Sequence, residues 1–435
     1  MTGLVGLGGV LAHGVGGRTD LPLPLWLFSY GAGAVLLASF AALRVLWRRP
    51  RLREAAPGAA VPSPVQLVTL PLAILLRGLG ILALAVVFVA AWWGPDDAGA
   101  NIAPIAVYVV FWVGLQVVSA LAGDVWSAMN PLRTIAAPLP RTTARADPGH
   151  WTAAAMVLSF VWLELAYHDP SSPRVVGTWL AAYCLAALAG AVWWGRDWLR
   201  HGEGFAAIFG LLAHLGPLHR DAEGRLRVRP PLAGLTDVEL RPGTAALVFV
   251  TLGSTTFDGL TRTETWIRLL GDRTGWAATA VNTVGLLWMI ALVAAAYLAA
   301  TRVVARMAGR DPVEMAMTFL PSLVPILFAY TLAHYFSLLV FEGQNAYVLA
   351  SDPFGRGWDL FGTIDWRVNF TVVSTDTIAY VQAAAIVVGH VAGVITAHDR
   401  AVELFRPRLA ERSQYPMLGV MVLFTVGGLG LLLGG

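Results

Sequence analysis

The chain has 435 residues, of which 57% are hydrophobic and only 13% charged, and its mean hydropathy is +0.65. Soluble domains carry about 45–50% apolar and about 25% charged residues, so a soluble enzyme is excluded. The single cysteine, Cys184, excludes an internal disulfide framework and a Cys-based zinc or iron–sulfur site, and the absence of lysine excludes a P-loop and a Schiff-base lysine.

Ten apolar segments follow one another at 24–47, 68–93, 104–122, 151–167, 175–194, 244–260, 278–301, 313–341, 378–397 and 416–434. Most reach the length of a membrane-crossing helix, about 18 residues or more. Tryptophans such as Trp26, Trp47, Trp92, Trp93 and Trp276 gather at their ends, as in an interfacial aromatic belt. The fold class is therefore an all-α integral membrane protein of about ten transmembrane helices, placed in the cell membrane. Residues 1–23 form a lead-in and 24–435 a single polytopic domain.

The lead-in holds a short apolar run, residues 4–12, that ends before His13. Val10-Leu11-Ala12 resembles the small-residue rule for signal cleavage. Cleavage there would leave His13 as an N-terminal residue whose amine and imidazole can chelate copper together. The run is short and lacks a basic flank, so the alternative is an uncleaved lead-in.

Loop charge sets an orientation. With the N-terminus outside, the cytoplasmic loops hold 21 of the 30 arginines, including Arg48, Arg49, Arg51 and Arg53. The positive-inside rule then places both termini on the extracytoplasmic side. In the long cytoplasmic loop 195–243, Phe205, Ile208, Phe209, Leu212 and Leu215 follow helical spacing, which suits a short helix in the headgroup plane. Residues 219–229 alternate arginine with apolar residues around a Gly-containing turn, which reads as a small hairpin. Arg225, Arg227 and Arg229 on it either dock anionic lipid or simply express the positive-inside bias.

Ionisable residues inside the spans are the functional candidates, because such groups usually face a cavity or a partner. They are Glu164, Asp258, His334 and His390. His334, Asp258 and Glu164 lie at similar depth in the outer half, with His334 roughly 10 Å below the outer surface. The stretch Gly253–Gly259 looks like a polar break in span 6, and Pro321 and Pro325 are set to kink span 8. The duller readings are specific too. His390 sits beside the Gly389/Gly393 packing face, Glu164 can pair with His168, and His398-Asp399-Arg400 reads as a solvated helix end. The outer loop 342–377 carries Glu342, Asp352, Asp359, Asp365 and Asp376, which would concentrate cations, with Trp358, Phe361 and Trp366 as material for a lid.

Three stretches, His13–Pro22, Gly253–Gly259 and Gly389–Asp399, together with the ten-span layout, resemble an actinobacterial family of multi-pass membrane proteins commonly labelled fenitrothion hydrolase. The resemblance covers nearly the whole chain. It implies hydrolysis of an organophosphorus ester, which needs an activated water and usually a divalent metal such as zinc or copper. In that reading His334, Asp258 and Glu164 are catalytic, and His334, His390 and His13 bind metal. The same buried groups equally suit a permease for a small solute, ion or proton. A non-catalytic scaffold subunit is the third reading. The partners implied are the lipid bilayer, anionic lipids at the cytoplasmic face and a small-molecule substrate or solute, and not nucleic acid.

Overall fold

The computed structural model describes residues 24–433. His13, the rest of the lead-in and the end of the last expected span lie outside the described residues. The chain is an all-α membrane protein. Its principal helices are α1 (Leu25–Leu46), α2 (Ser63–Trp93), α3 (Ile102–Ala122), α4 (Trp151–Leu165), α5 (Pro173–Trp194) and α6 (Gly204–Ala213). They continue with α7 (Thr244–Thr261), α8 (Gly275–Ala308), α9 (Pro312–Ser351), α10 (Thr375–Leu404) and α11 (Gln414–Leu433).

All ten expected segments fall on helices, but eight helices among the described residues are long and apolar enough to cross a membrane. The two others are α4 and α7. At 15 residues, α4 is about 22 Å long, short of a hydrocarbon core of about 30 Å. Helix α7 is rich in Ser and Thr and buries 13 of its 18 residues, so protein rather than lipid surrounds it. Helix α9 lies at the centre, with 72% of its most apolar window buried, whereas α2 is peripheral, with 11%.

Several local expectations change. Span 6 is not interrupted at Gly253–Gly259, and α7 is continuous there. The hydroxyls of Thr251, Thr255 and Thr256 donate to carbonyls four residues back, so the polar side chains are satisfied on their own helix. Gly253 serves packing: a Cβ there would lie 2.6 Å from the Ile290 Cα of α8. Helix α9 does change at Pro321, where Leu320–Leu323 tightens into a 3-10 turn before the helix resumes. It then runs on to Ser351, so the expected loop at 342–377 shrinks to residues 352–374. Asp352 and Asp359 in that loop hold its own backbone: Asp352 accepts from the Arg356 and Gly357 amides, Asp359 from the Thr363 and Ile364 amides and the Ser351 hydroxyl. These carboxylates shape the loop instead of standing free for cations.

Helix α6 is not an amphipathic surface helix. Nine of its ten residues are buried, and Phe205 and Phe209 pack edge-on against Phe111. Its N-terminus is capped by Glu203, which is fully buried. The expected hairpin is present as β2 (Leu218–Arg220) and β3 (Leu226–Val228), and a short strand not foreseen, β1 (Ala59–Ala60), pairs with β3. Helix α3 winds as a π-helix over Ala106–Gly114, a feature that no sequence signal announced.

His398-Asp399 is not a solvated helix end. Both residues are buried near the end of α10. Asp399 Oδ1 accepts from Trp47 Nε1 at 2.8 Å, from the Arg51 amide at 2.7 Å and from the Leu52 amide at 3.4 Å. His398 bonds the Trp47 carbonyl through Nε2 and Gln414 through Nδ1. The pair thus fastens the turn after α1 to the end of α10. Asp399→Ala strands those three donors and should lower stability by about 3 kcal/mol. His398→Ala should also destabilise. Thermal unfolding in detergent measures both, and an unchanged melting temperature for Asp399→Ala would refute the anchor.

At the same face, His150 precedes α4 and donates from Nδ1 to the Thr244 hydroxyl at 2.7 Å, since that hydroxyl donates to the Arg241 carbonyl. Burial, reinforced by His201 and Arg241, pushes its pKa from 6.5 down to about 4. The folded chain keeps this ring neutral while the unfolded chain protonates it. Its contribution to stability is therefore complete above pH 6.5 and is lost as pH falls toward about 4. His150→Gln should make the acid loss of stability shallower across that window. Denaturation curves at pH 7, 5.5 and 4.5 with the same slope for both proteins would reject the assignment.

Candidate functional site

Three of the expected residues come together where α4, α7 and α9 meet. His334 of α9 and Asp258 of α7 are both buried, and His334 Nε2 lies 2.7 Å from Asp258 Oδ2. Tyr335, next in sequence to His334, places its hydroxyl 3.1 Å from the same Asp258 oxygen and 3.5 Å from Glu164 Oε1 of α4. Arg262, one turn beyond Asp258, brings Nη2 to 3.3 Å from His334 Nε2. The result is a continuous polar chain, Glu164–Tyr335–Asp258–His334–Arg262.

The local sequence makes this arrangement. Asp258 and Arg262 are spaced i, i+4 and share one face of the α7 end. His334 and Tyr335 are neighbours on α9, with rings 4.8 Å apart and nearly perpendicular, so they approach Asp258 from different directions. Glu164 lies at the C-terminal end of the short helix α4, which brings its carboxyl to the depth of Tyr335.

The bonding pattern has more than one solution, which separates this cluster from an ordinary buried ion pair. The Tyr335 hydroxyl has one hydrogen and two carboxylates within reach, so it donates to one at a time. If Glu164 carries a proton it can donate to Tyr335, which then donates to Asp258. His334 Nε2 has the same duality. With a hydrogen it donates to Asp258; without one it can accept from Arg262. His334 Nδ1 and Glu164 Oε2 are buried and have no hydrogen-bond partner among the described residues.

The remaining candidates do not join. His390 is buried, but its Nδ1 bonds the Ile386 carbonyl of its own helix at 2.8 Å. The adjacent Gly389/Gly393 face is a tight contact: a Cβ at Gly389 would lie 2.1 Å from Ala329 Cβ of α9. The packing reading of His390 thus describes its surroundings. Glu164 does not pair with His168, which bonds Thr279 of α8 instead. Among the described residues no three His, Cys, Asp or Glu side chains group in a way that could hold a metal ion, and His13 lies outside them. No hydrogen bond links His390 to the His334–Asp258 cluster among the described residues.

Tyr335 and Arg262 escaped the sequence reading. Tyrosine carries no charge to mark it in an apolar run, and Arg262 counts as an ordinary loop arginine until its i, i+4 relation to Asp258 is noticed. Comparison of the chain with known protein families, with curated proteins and with solved structures finds no match.

Proposed function

We propose that this protein is a multi-pass permease that couples passage of a small solute or ion to a proton held on Glu164, Tyr335, Asp258 and His334. The observation that carries this reading is the unbroken run of exchangeable groups between α4 and the end of α7, with hydrogens that can be redistributed. Titratable chains buried between membrane helices serve as proton relays because the cost of an unpaired charge there keeps protons moving in step with their partners. Arg262 supplies a fixed positive charge beside His334. The arginine bias of the loops supports ten crossings with both termini outside, and so a relay in the outer half of the bilayer.

A second reading keeps the hydrolase implied by the family resemblance, without metal. Asp258 would orient His334 through Nε2, leaving Nδ1, which has no partner among the described residues, to take the proton of an attacking water. The new bond would form from water oxygen to phosphorus, and the ester leaving group would depart with the electron pair.

The two readings separate in proteoliposomes. For the relay, proton uptake reported by an internal pH dye under an imposed potential should be abolished by Asp258→Asn and by Tyr335→Phe. Infrared difference spectra on acidification should lose a carboxylic-acid band in Glu164→Gln. Tyr335→Phe with wild-type flux and an unaltered carboxyl spectrum would refute the relay. For the hydrolase, turnover of an organophosphorus triester should fall about a hundredfold in His334→Gln, with no dependence on a proton gradient. The orientation has its own check: a reporter active only outside the cytoplasm, fused after Gly435, should be active, and an active cytoplasmic reporter there would invert the site.

A further inference from the structure

A cavity of about 630 Å³ lies on the arginine-rich face; none of the relay residues lines it, and its role does not rest on theirs. Arg200, Arg220, Arg229 and Arg241 line it, as do His150, His201, His214 and His219, while the acids among its lining residues are Asp124 and Glu239. Asp147 holds both Arg241 and His201 at 2.8 Å, and Glu239 holds Arg241 as well, which leaves Arg200, Arg220 and Arg229 as the charges that suit an anion.

Arg229 shows that the site is built rather than incidental. Its side chain is only 5% exposed, and its nearest carboxylate, Asp237, stands at 3.5 Å. Its Nε is buried with no hydrogen-bond partner among the described residues, and so is His219 Nδ1. Gly234 makes room for the guanidinium, since a Cβ there would lie 2.1 Å from Arg229 Nη2. A buried guanidinium with an unused N–H is costly unless a ligand oxygen completes it.

Part of the lining is apolar. Leu72, Ala73 and Leu76 of α2 contribute to it, and α2 is the span with the least protein around it. A ligand seated on the arginines therefore has an apolar path along a helix that faces lipid. The hairpin-tip arginines are engaged elsewhere: Arg225 pairs with Asp221 and Glu223, and Arg227 bonds the Pro57 and Gly58 carbonyls. We infer that the cavity binds the phosphate head group of an anionic amphiphile, held by Arg229, Arg200 and Arg220, with its chain lying along α2.

The test uses the full chain in nanodiscs of phosphatidylcholine, alone or doped with phosphatidic acid, or with added inorganic phosphate. Native mass spectrometry counts retained phosphatidic acid, and thermal melting reads the stabilisation. One phosphatidic acid per chain should be retained and should raise the melting temperature, with inorganic phosphate unable to displace it. The double variant Arg200→Gln/Arg220→Gln, at largely exposed positions, should weaken retention by roughly tenfold for each charge removed. Arg229→Gln should do so as well, and Arg225→Gln, outside the cavity, should not. Inorganic phosphate stabilising as strongly as phosphatidic acid would assign the site to a soluble anion and overturn the proposal. Retention unaffected by the double variant, or lost equally in Arg225→Gln, would overturn it too.

Discussion

A carboxylate buried among membrane helices has to be surrounded by donors, and the position of Asp258 organises the bundle accordingly. Two donors come from consecutive residues of the central helix α9, His334 and Tyr335, which fixes the rotation of α9 against α7. Tyr335 then reaches Glu164, which ties the short helix α4 into the same contact. Because α4 and α7 are the two expected spans least suited to lipid, enclosing them is a condition of membrane insertion as well as of bonding. The polar chain and the placement of the inner helices are one constraint seen from two sides.

The same rule operates at the arginine-rich face with a different outcome. Asp399 is also buried, but two of its three donors are backbone amides, which cannot hand on a hydrogen, and the third is an indole. That carboxylate therefore fixes a chain crossing and nothing else. Asp352 and Asp359 do likewise for the loop at 352–374. Acids that look equivalent in sequence divide by the kind of donor they meet.

Hydrophobic runs made the helices legible, since a span about 20 residues long leaves a signal that no loop mimics. The convergence of Glu164, Asp258 and His334 was legible from depth alone, because few intramembrane charges offered a choice of partners. What stayed hidden depended on tertiary placement. Gly253–Gly259 looks like a break until its hydroxyls are seen to bond their own backbone. Leu212 and its neighbours read as a surface helix because periodicity cannot tell a lipid headgroup from an aromatic core. His398 and Asp399 looked solvated because their partners, Trp47 and Arg51, lie about 350 residues away in sequence.

Two buried acids, Glu203 and Glu164, differ in how fully their oxygens are bonded. Glu203 is as deeply buried as any acid here, yet Oε1 accepts from the Phe205 amide and the Tyr183 hydroxyl, and Oε2 from the Ala206 amide and Asn130 Nδ2. Four donors saturate its two oxygens, so its role is to seat α6. Glu164 and His334 are the opposite case. Each keeps one buried polar atom without a partner among the described residues, on either side of a Tyr335 hydroxyl that must choose between acceptors. In the proposed relay these two atoms would be the places where a proton arrives and leaves, joined through the Tyr335 hydroxyl and the Asp258 carboxylate.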